Sequence, residues 1–289
     1  MAARAKSLIL VAAFVASVAF APQTDTPAQR IISLVPALTE MLFAIGAGSQ
    51  IVAVSSYDDF PPEAQALPRV GALLDPDVER ILTLRPDLVL TYGSQDALEA
   101  QLMKAGIGTF SYRHRGLDAV FETMRSLGAV TGRGAQAGRA VSGLQARLDA
   151  VRASVRGRPR PRVLLVFGRQ PRSLQQIYVS GGVGFLHELL EIAGGTNVFA
   201  DVQRESVQPS RETLLARAPD VILEIHASRP VTAADAPLER RVWSPLASIP
   251  AVRNGRLHFL NGDYLVIPGP RVALVAEALA GALHPAAFQ

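Results

Sequence analysis

The sequence predicts an α/β protein of two similar lobes with mostly parallel sheets, joined by a single long α-helix. Three observations predict it. Short β-branched or apolar runs alternate with segments of helical period along the chain, the pattern of βα units with helices on both sheet faces. One phrase occurs twice, "DPDVERILTLRPDLVLTY" at 75–92 and "QPSRETLLARAPDVILEI" at 208–225, at a constant offset of 133 residues. Between the copies, positions 134–156 hold no proline, and Val141, Leu144, Leu148, Val151 and Val155 recur at intervals of three and four.

The elements follow in order. "RIISLV" (30–35) is a β-branched run ending at Pro36, and "ALTEMLFAIGAG" (37–48) has apolar residues at helical spacing and a glycine stop. Then come the strand "IVAVSSY", the helix around "DPDVERILTLR", the strand "DLVLTY", the helix "DALEAQLMKAG" and the strand "GTFSYRH". From Arg162 the pattern restarts with the strand "RVLLVFG" and the helix "GFLHELLEIAGG" (184–195), which ends in glycines as the first helix does. The second copy of the phrase supplies a helix and the strand "DVILEIH"; the strand "RLHFLNGD" (256–263) and the helix "PRVALVAEALAGALH" close the chain. The expected division is a signal peptide at 1–21, an N-terminal lobe at 22–133, a connecting helix at 134–158 and a C-terminal lobe at 159–289. A connecting helix of that length spans roughly 30 Å, so lobes crossed once by it rock only slightly.

With 289 residues, 49% hydrophobic and 19% charged, the chain has ample core for two lobes. Arg4 and Lys6 precede an apolar stretch and the small-x-small pattern Ala19-Phe20-Ala21, the order of a secretory signal peptide, so a periplasmic location is expected. Removing that segment lowers the formal charge of +4 by two. Lys6 and Lys104 are the only lysines, so the basic balance reflects arginine usage and gives no reason to expect nucleic acid as a partner. "RGRPRPR" (156–162) reads as a solvated linker. The chain has no cysteine, hence no disulfide and no lipid-acceptor thiol, and a free monomer is expected.

In each copy of the phrase a proline stands near the helix start, where a missing N–H costs nothing, and Glu79 and Glu212 fall in the first turn, where the helix dipole favours a carboxylate. Dipole preference explains one glutamate at each place. It does not explain why both lobes choose it at the same spacing; two carboxylates on a shared face would meet a two-fold symmetric, basic partner.

"RIISLVPALTEMLFAIG", "VAVSSYDDFPPEAQ", "VERILTLRPDLVL" and "SRETLLARAPDVI" resemble the periplasmic binding proteins that feed ABC importers for vitamin B12, haem and iron-siderophores, and are most similar to the vitamin B12 branch. The resemblance runs over essentially the whole mature chain. It implies two Rossmann-like lobes, the class III arrangement with a single connecting helix, a small-molecule ligand in the cleft, and an ABC permease dimer with ATPase subunits as partner. It also implies that Glu79 and Glu212 dock on arginines of the permease.

Ligands of parallel α/β sheets sit beyond the carboxyl ends of the strands. Those ends offer Tyr57, Tyr92, and Tyr112 with Arg113 and His114 in the first lobe. In the second they offer Arg169, His226, and Asp263 with Tyr264, and the loop residue Tyr178 is a further candidate. Aromatic rings with a few polar groups suit a large, flat, partly apolar ligand. The resemblance matches Tyr57 and Asp263 to corrinoid-contacting positions. Near Leu73 and Ser206 the vitamin B12 branch carries tryptophans absent here, and the haem binders' tyrosine after "VG" is Ala72 in this chain. Cargo is therefore expected to be a corrinoid such as cobalamin, with haem or a ferric siderophore as the alternative and no resident cofactor.

Other functions fit less well. No cysteine nucleophile, G-x-S-x-G elbow, P-loop or strand-following G-x-G-x-x-G is present, so no enzyme is expected. The glycine-rich "SGGVGF" makes a weak phosphate cradle. The five histidines, His114, His187, His226, His258 and His284, are widely spaced, and a metal carrier would need His114, His226, Asp263 and Glu224 to converge. A sensory module that borrowed the fold would have no need of both glutamates.

Overall fold

The computed structural model describes residues 26–288; the expected signal peptide lies outside them. The first lobe contains β1 (Ile31–Ser33), α1 (Pro36–Ala44), β2 (Ile51–Val54), α2 (Val78–Thr83), β3 (Leu88–Tyr92), α3 (Asp96–Lys104), β4 (Gly108–Tyr112) and α4 (Leu117–Val130). Helix α5 (Gly134–Ser154) follows, and Gly157, with a φ of 76°, and Pro159 come directly after it. The second lobe contains β5 (Arg162–Gly168), β6 (Tyr178–Ser180), α6 (Phe185–Ile192), β7 (Thr196–Asn197), β8 (Ser206–Val207), α7 (Arg211–Arg217), β9 (Val221–His226), α8 (Ala236–Val242), α9 (Pro250–Arg253), β10 (Leu257–Asn261) and α10 (Val272–Leu283).

The first sheet has the order β2-β1-β3-β4, all parallel. In the second sheet β7, β5, β9 and β10 repeat that order in parallel. An antiparallel pair, β6 and β8, is added on the β7 side of β5. The prediction of two similar, mostly parallel lobes holds, and the added antiparallel pair is the main topological difference between them.

Strand residues alternate between two apolar layers, as period 2 requires. Ile31, Leu88 and Leu90 face one core; Ile32, Leu34 and Val89 face the other, against Ile81 of α2 and Leu98 and Leu102 of α3. In the second sheet Val163, Leu165, Val221 and Leu223 face inward, while Leu164, Val166 and Ile222 pack outward on Phe199, Leu214 and Trp243. The inward layer is continuous across both lobes. The helix ends at Ser154, four residues short of the expected 158; its Val141, Leu144, Leu148 and Val151, and Val155 just after it, are buried in this layer with Met124 and Leu127 of α4 and Leu189 and Leu279 of α6 and α10.

The doubled phrase folds the same way twice. Asp77 caps α2 by accepting the Arg80 N–H at 2.9 Å, and Ser210 caps α7 by accepting the Thr213 N–H at 3.2 Å. Both helices run into a left-handed residue, Arg85 (φ 46°) and Ala218 (φ 43°). Asp87 then accepts the Arg30 N–H at 3.0 Å, and Asp220 accepts the Arg162 N–H at 3.1 Å. Arg30 and Arg162 in turn donate to the last carbonyls of the two helices, Leu84 O and Arg217 O, each at 2.6 Å. Most of the repeat is thus helix-to-strand carpentry. Glu79 and Glu212 lie outside it, exposed on the outer faces of α2 and α7.

Candidate functional site

Loops from the carboxyl ends of both sheets face one another. His114, after β4, packs edge-on against Phe185 at the start of α6, with ring centroids 5.1 Å apart. On the other flank Arg271, at the start of α10, lies over Phe60 of the first lobe at 4.2 Å. The cleft lies between these two contacts.

The wall from the first lobe is apolar and open. The turn after β2 is fixed by polar groups: the Asp58 carboxylate accepts the Ser55 N–H at 2.9 Å, and Arg69 donates to Ser55 O and Asp58 O, each at 2.8 Å. Asp58 is fully buried, and burial pushes its carboxyl above the ordinary range. A turn held this way projects Tyr57, which is 71% exposed. A second turn closes where Ala72 and Asp75 exchange hydrogen bonds of 3.1 and 3.2 Å. Gly71 begins it at a φ of 83°, and a Cβ there would strike the backbone of Asp75 and Asp77. Leu74 at its tip is 93% exposed. Gln95 joins this turn to the end of β3, donating to Leu73 O at 2.7 Å and accepting the Tyr92 N–H at 3.0 Å.

The second lobe's wall is polar and closed. Glu224 stands on the outward face of β9 and meets Arg169 Nε at 2.8 Å and Trp243 Nε1 at 2.9 Å. Glu239 holds the other arm of Arg169, whose side chain is only 4% exposed. His226 Nε2 is 2.8 Å from Glu224 Oε1, a contact of proximity with a poorly aimed N–H. Burial pushes Glu224 up, but His226, Arg169 and Trp243 together hold its carboxyl below the ordinary range. A pocket of about 260 Å³ opens beside this network, lined also by Arg172, Arg229 and Asp235.

The structure sorts the expected site residues into three groups. Tyr57, Tyr178, Arg113 and Asp263 are exposed, and Tyr92 and Tyr264 are half-buried. Arg113 lies across Gly93, where a Cβ would strike its side chain. Tyr112 departs from expectation: it is buried, its hydroxyl is 3.2 Å from His114 Nδ1, and desolvation pushes its pKa strongly upward. Burial lowers His114 against the pull of Glu205. Arg169 and His226 border the 260 Å³ pocket, with Arg169 held between Glu224 and Glu239 and His226 close to Glu224. The convergence a metal carrier would need is not formed, since no cluster of three ligating side chains occurs among the described residues.

Four further residues carry little or no signal in the sequence. Leu74 carried one faint signal, an apolar pair squeezed between Gly71 and the Asp75-Pro76 turn. Arg271 donates to Glu40 at 2.6 and 2.8 Å and to Asp263 at 3.1 and 3.2 Å, so it reaches both lobes. Glu188 accepts the Leu117 N–H at 3.1 Å across the opposite flank. No local pattern pairs Glu40 or Glu188 with partners this far away in the chain.

A family profile described as periplasmic binding protein matches residues 31–264. The chain belongs to the periplasmic binding protein family. Within that family its two lobes and single connecting helix are the class III arrangement. It is 34% identical over 258 residues to the vitamin B12-binding protein of Salmonella typhimurium strain LT2, covering 89% of this chain and 90% of that one. Among solved structures it is similar to the periplasmic vitamin B12-binding protein of Vibrio cholerae, at 29% identity and a TM-score of 0.74, over 91% of this chain and 99% of that one. It is also similar to a periplasmic haem-binding protein from Pseudomonas aeruginosa, at 27% identity and a TM-score of 0.75, over 89% and 93%. No helix among the described residues of this family member is long and apolar enough to cross a membrane.

Proposed function

We propose that the chain is the extracytoplasmic solute-binding component of an ABC importer and captures a corrinoid, a vitamin B12-like ligand, between its lobes. The observation that carries this is the full-length likeness to vitamin B12-binding proteins, 34% identical over 89% of the chain. The cleft agrees with it. Tyr57 and Leu74 offer flat apolar area on one wall, and Asp263, Tyr264 and Tyr178 offer polar tips on the other, as a large ligand with an apolar ring and a polar fringe requires. Glu79 and Glu212, exposed at matching places on α2 and α7, are the carboxylates that would meet the two permease subunits. The N-terminal sequence supports export to the periplasm.

The haem-binding structure favours a second reading, in which the same cleft carries an iron chelate. Calorimetry with cyanocobalamin on the mature protein tests the first; binding at micromolar affinity or tighter is the expected result. Silence with cobalamin beside a Soret shift on adding haemin would hand the cleft to haem, and binding of a ferric siderophore alone would hand it to that class. Binding of none of the three overturns the carrier function. For docking, E79R/E212R should abolish uptake while ligand affinity stays intact; lost affinity in that variant removes both residues from the permease face.

A further inference from the structure

The two contacts that flank the cleft obey the same internal repeat as the outer helices. Helices α1 and α6 are equivalent elements, each stopped by a glycine of positive φ, Gly46 at 77° and Gly194 at 79°. Glu40 and Glu188 each stand six residues before that glycine. Each glutamate leaves its own lobe and meets the start of the last helix of the other. Glu40 takes two hydrogen bonds from Arg271, the residue before α10, at 2.6 and 2.8 Å. Glu188 accepts the N–H of Leu117, the first residue of α4, at 3.1 Å. The exchange is reciprocal, first lobe to second and second to first, which is what a two-fold relation generates.

The environment suits both contacts. Glu40 is 2% exposed, and a carboxylate so buried is tolerated only when paired. Gly116, just before α4, leaves room that a Cβ would deny to the Glu188 carboxylate. The chemistry of the pair is unequal. The Glu40 contact is an ion pair, and Arg271 extends it to Asp263 on the cleft wall while its guanidinium lies over Phe60 and faces Tyr264 at 5.6 Å. The Glu188 contact needs only an oxygen acceptor at a helix N-terminus. Drawing the lobes apart would return every one of these groups to water, so the contacts contribute direction more than energy.

We propose that Glu40 and Glu188 are a two-fold pair of interlobe straps that set the aperture of the cleft, and that Arg271 is a positioning residue tying the first strap to Asp263. The role in cargo binding rests on the reading of the cleft as the ligand site; the straps themselves do not. Because the chain has no cysteine, L82C/L215C takes one spin label on α2 and one on α7, at leucines that are each 41% exposed. Pulsed dipolar spectroscopy on the ligand-free protein then reads the spread of interlobe distance. One narrow distribution is expected for the parent, and E40Q/E188A should be about two-fold broader. E188Q, which keeps the acceptor oxygen, should match the parent, while E188A should not. A parent-like width in E40Q/E188A overturns the proposal. If that double variant does not fold, equal widths for E188A and E188Q overturn it instead. No ligand enters the measurement, so a failure of cobalamin to bind would remove the cargo reading alone.

Discussion

The walls of the cleft differ far more than the outer faces of the lobes do. On the outside, α2 and α7 share cap position, left-handed stop, strand-capping aspartate and the arginine that satisfies their last carbonyls. Inside, one wall presents Tyr57 and Leu74 on braced turns, while the other closes Arg169, Glu224 and Glu239 into a network. The features shared outside build the helix-to-strand joints, and beside them Glu79 and Glu212 stand exposed at matching places. Unlike walls suit a ligand with two unlike faces.

The two walls should fail differently when cut. R169M leaves Glu224 and Glu239 without their cation, and unpairing a buried charge costs about 3–5 kcal/mol. Urea unfolding should show that loss, and a midpoint close to that of the parent would mean the network is far more hydrated than the 4% exposure of the Arg169 side chain indicates. Y57A on the opposite wall should leave unfolding within about 0.5 kcal/mol of the parent, since an exposed ring supports nothing beneath it. It should instead weaken cargo binding about ten-fold, roughly 1.4 kcal/mol by titration calorimetry. A Y57A protein that binds normally would take the apolar wall out of the site.

How much of this the sequence showed depends on the distance over which each feature is written. Alternation of strand and helix and the doubled phrase are local signals, and they yielded the two lobes and α5. Strand ends were equally legible: Tyr57 and Asp263 are exposed on the segments that follow β2 and β10. What a side chain does once there depends on partners remote in sequence. Tyr112 reads as a cleft ring, yet it is buried in the apolar layer that residues of both lobes build. Arg169 looked free until β9 brought Glu224 from 55 residues away. Arg271 and Glu40 are 231 residues apart, and no periodicity encodes that meeting.

The outer faces predict a smaller and symmetric effect. D77A and S210A each remove an N-cap of a short helix, and each should lower stability by about 1 kcal/mol in urea. Equal losses would confirm that the two helix starts carry the same local load. A much larger loss at one of them would show that the likeness of sequence hides an unlike burden.

The finest contrast between the lobes is the direction in which their buried carboxylates titrate. Asp58 in the first lobe is pushed up by burial, so the folded protein takes its proton more readily than the unfolded chain, and acidification through that range adds stability. Glu224 in the second lobe is held below its ordinary 4.5 by His226, Arg169 and Trp243 in spite of burial. Its contribution is fully present above 4.5 and is lost as pH falls through the folded value. Urea midpoints measured from pH 7 downward should therefore separate the two. E224Q should flatten the acid loss and D58N should steepen it, because each removes one of two opposed contributions. Parallel acid limbs for parent, E224Q and D58N would show that neither wall titrates in the folded protein as its surroundings require.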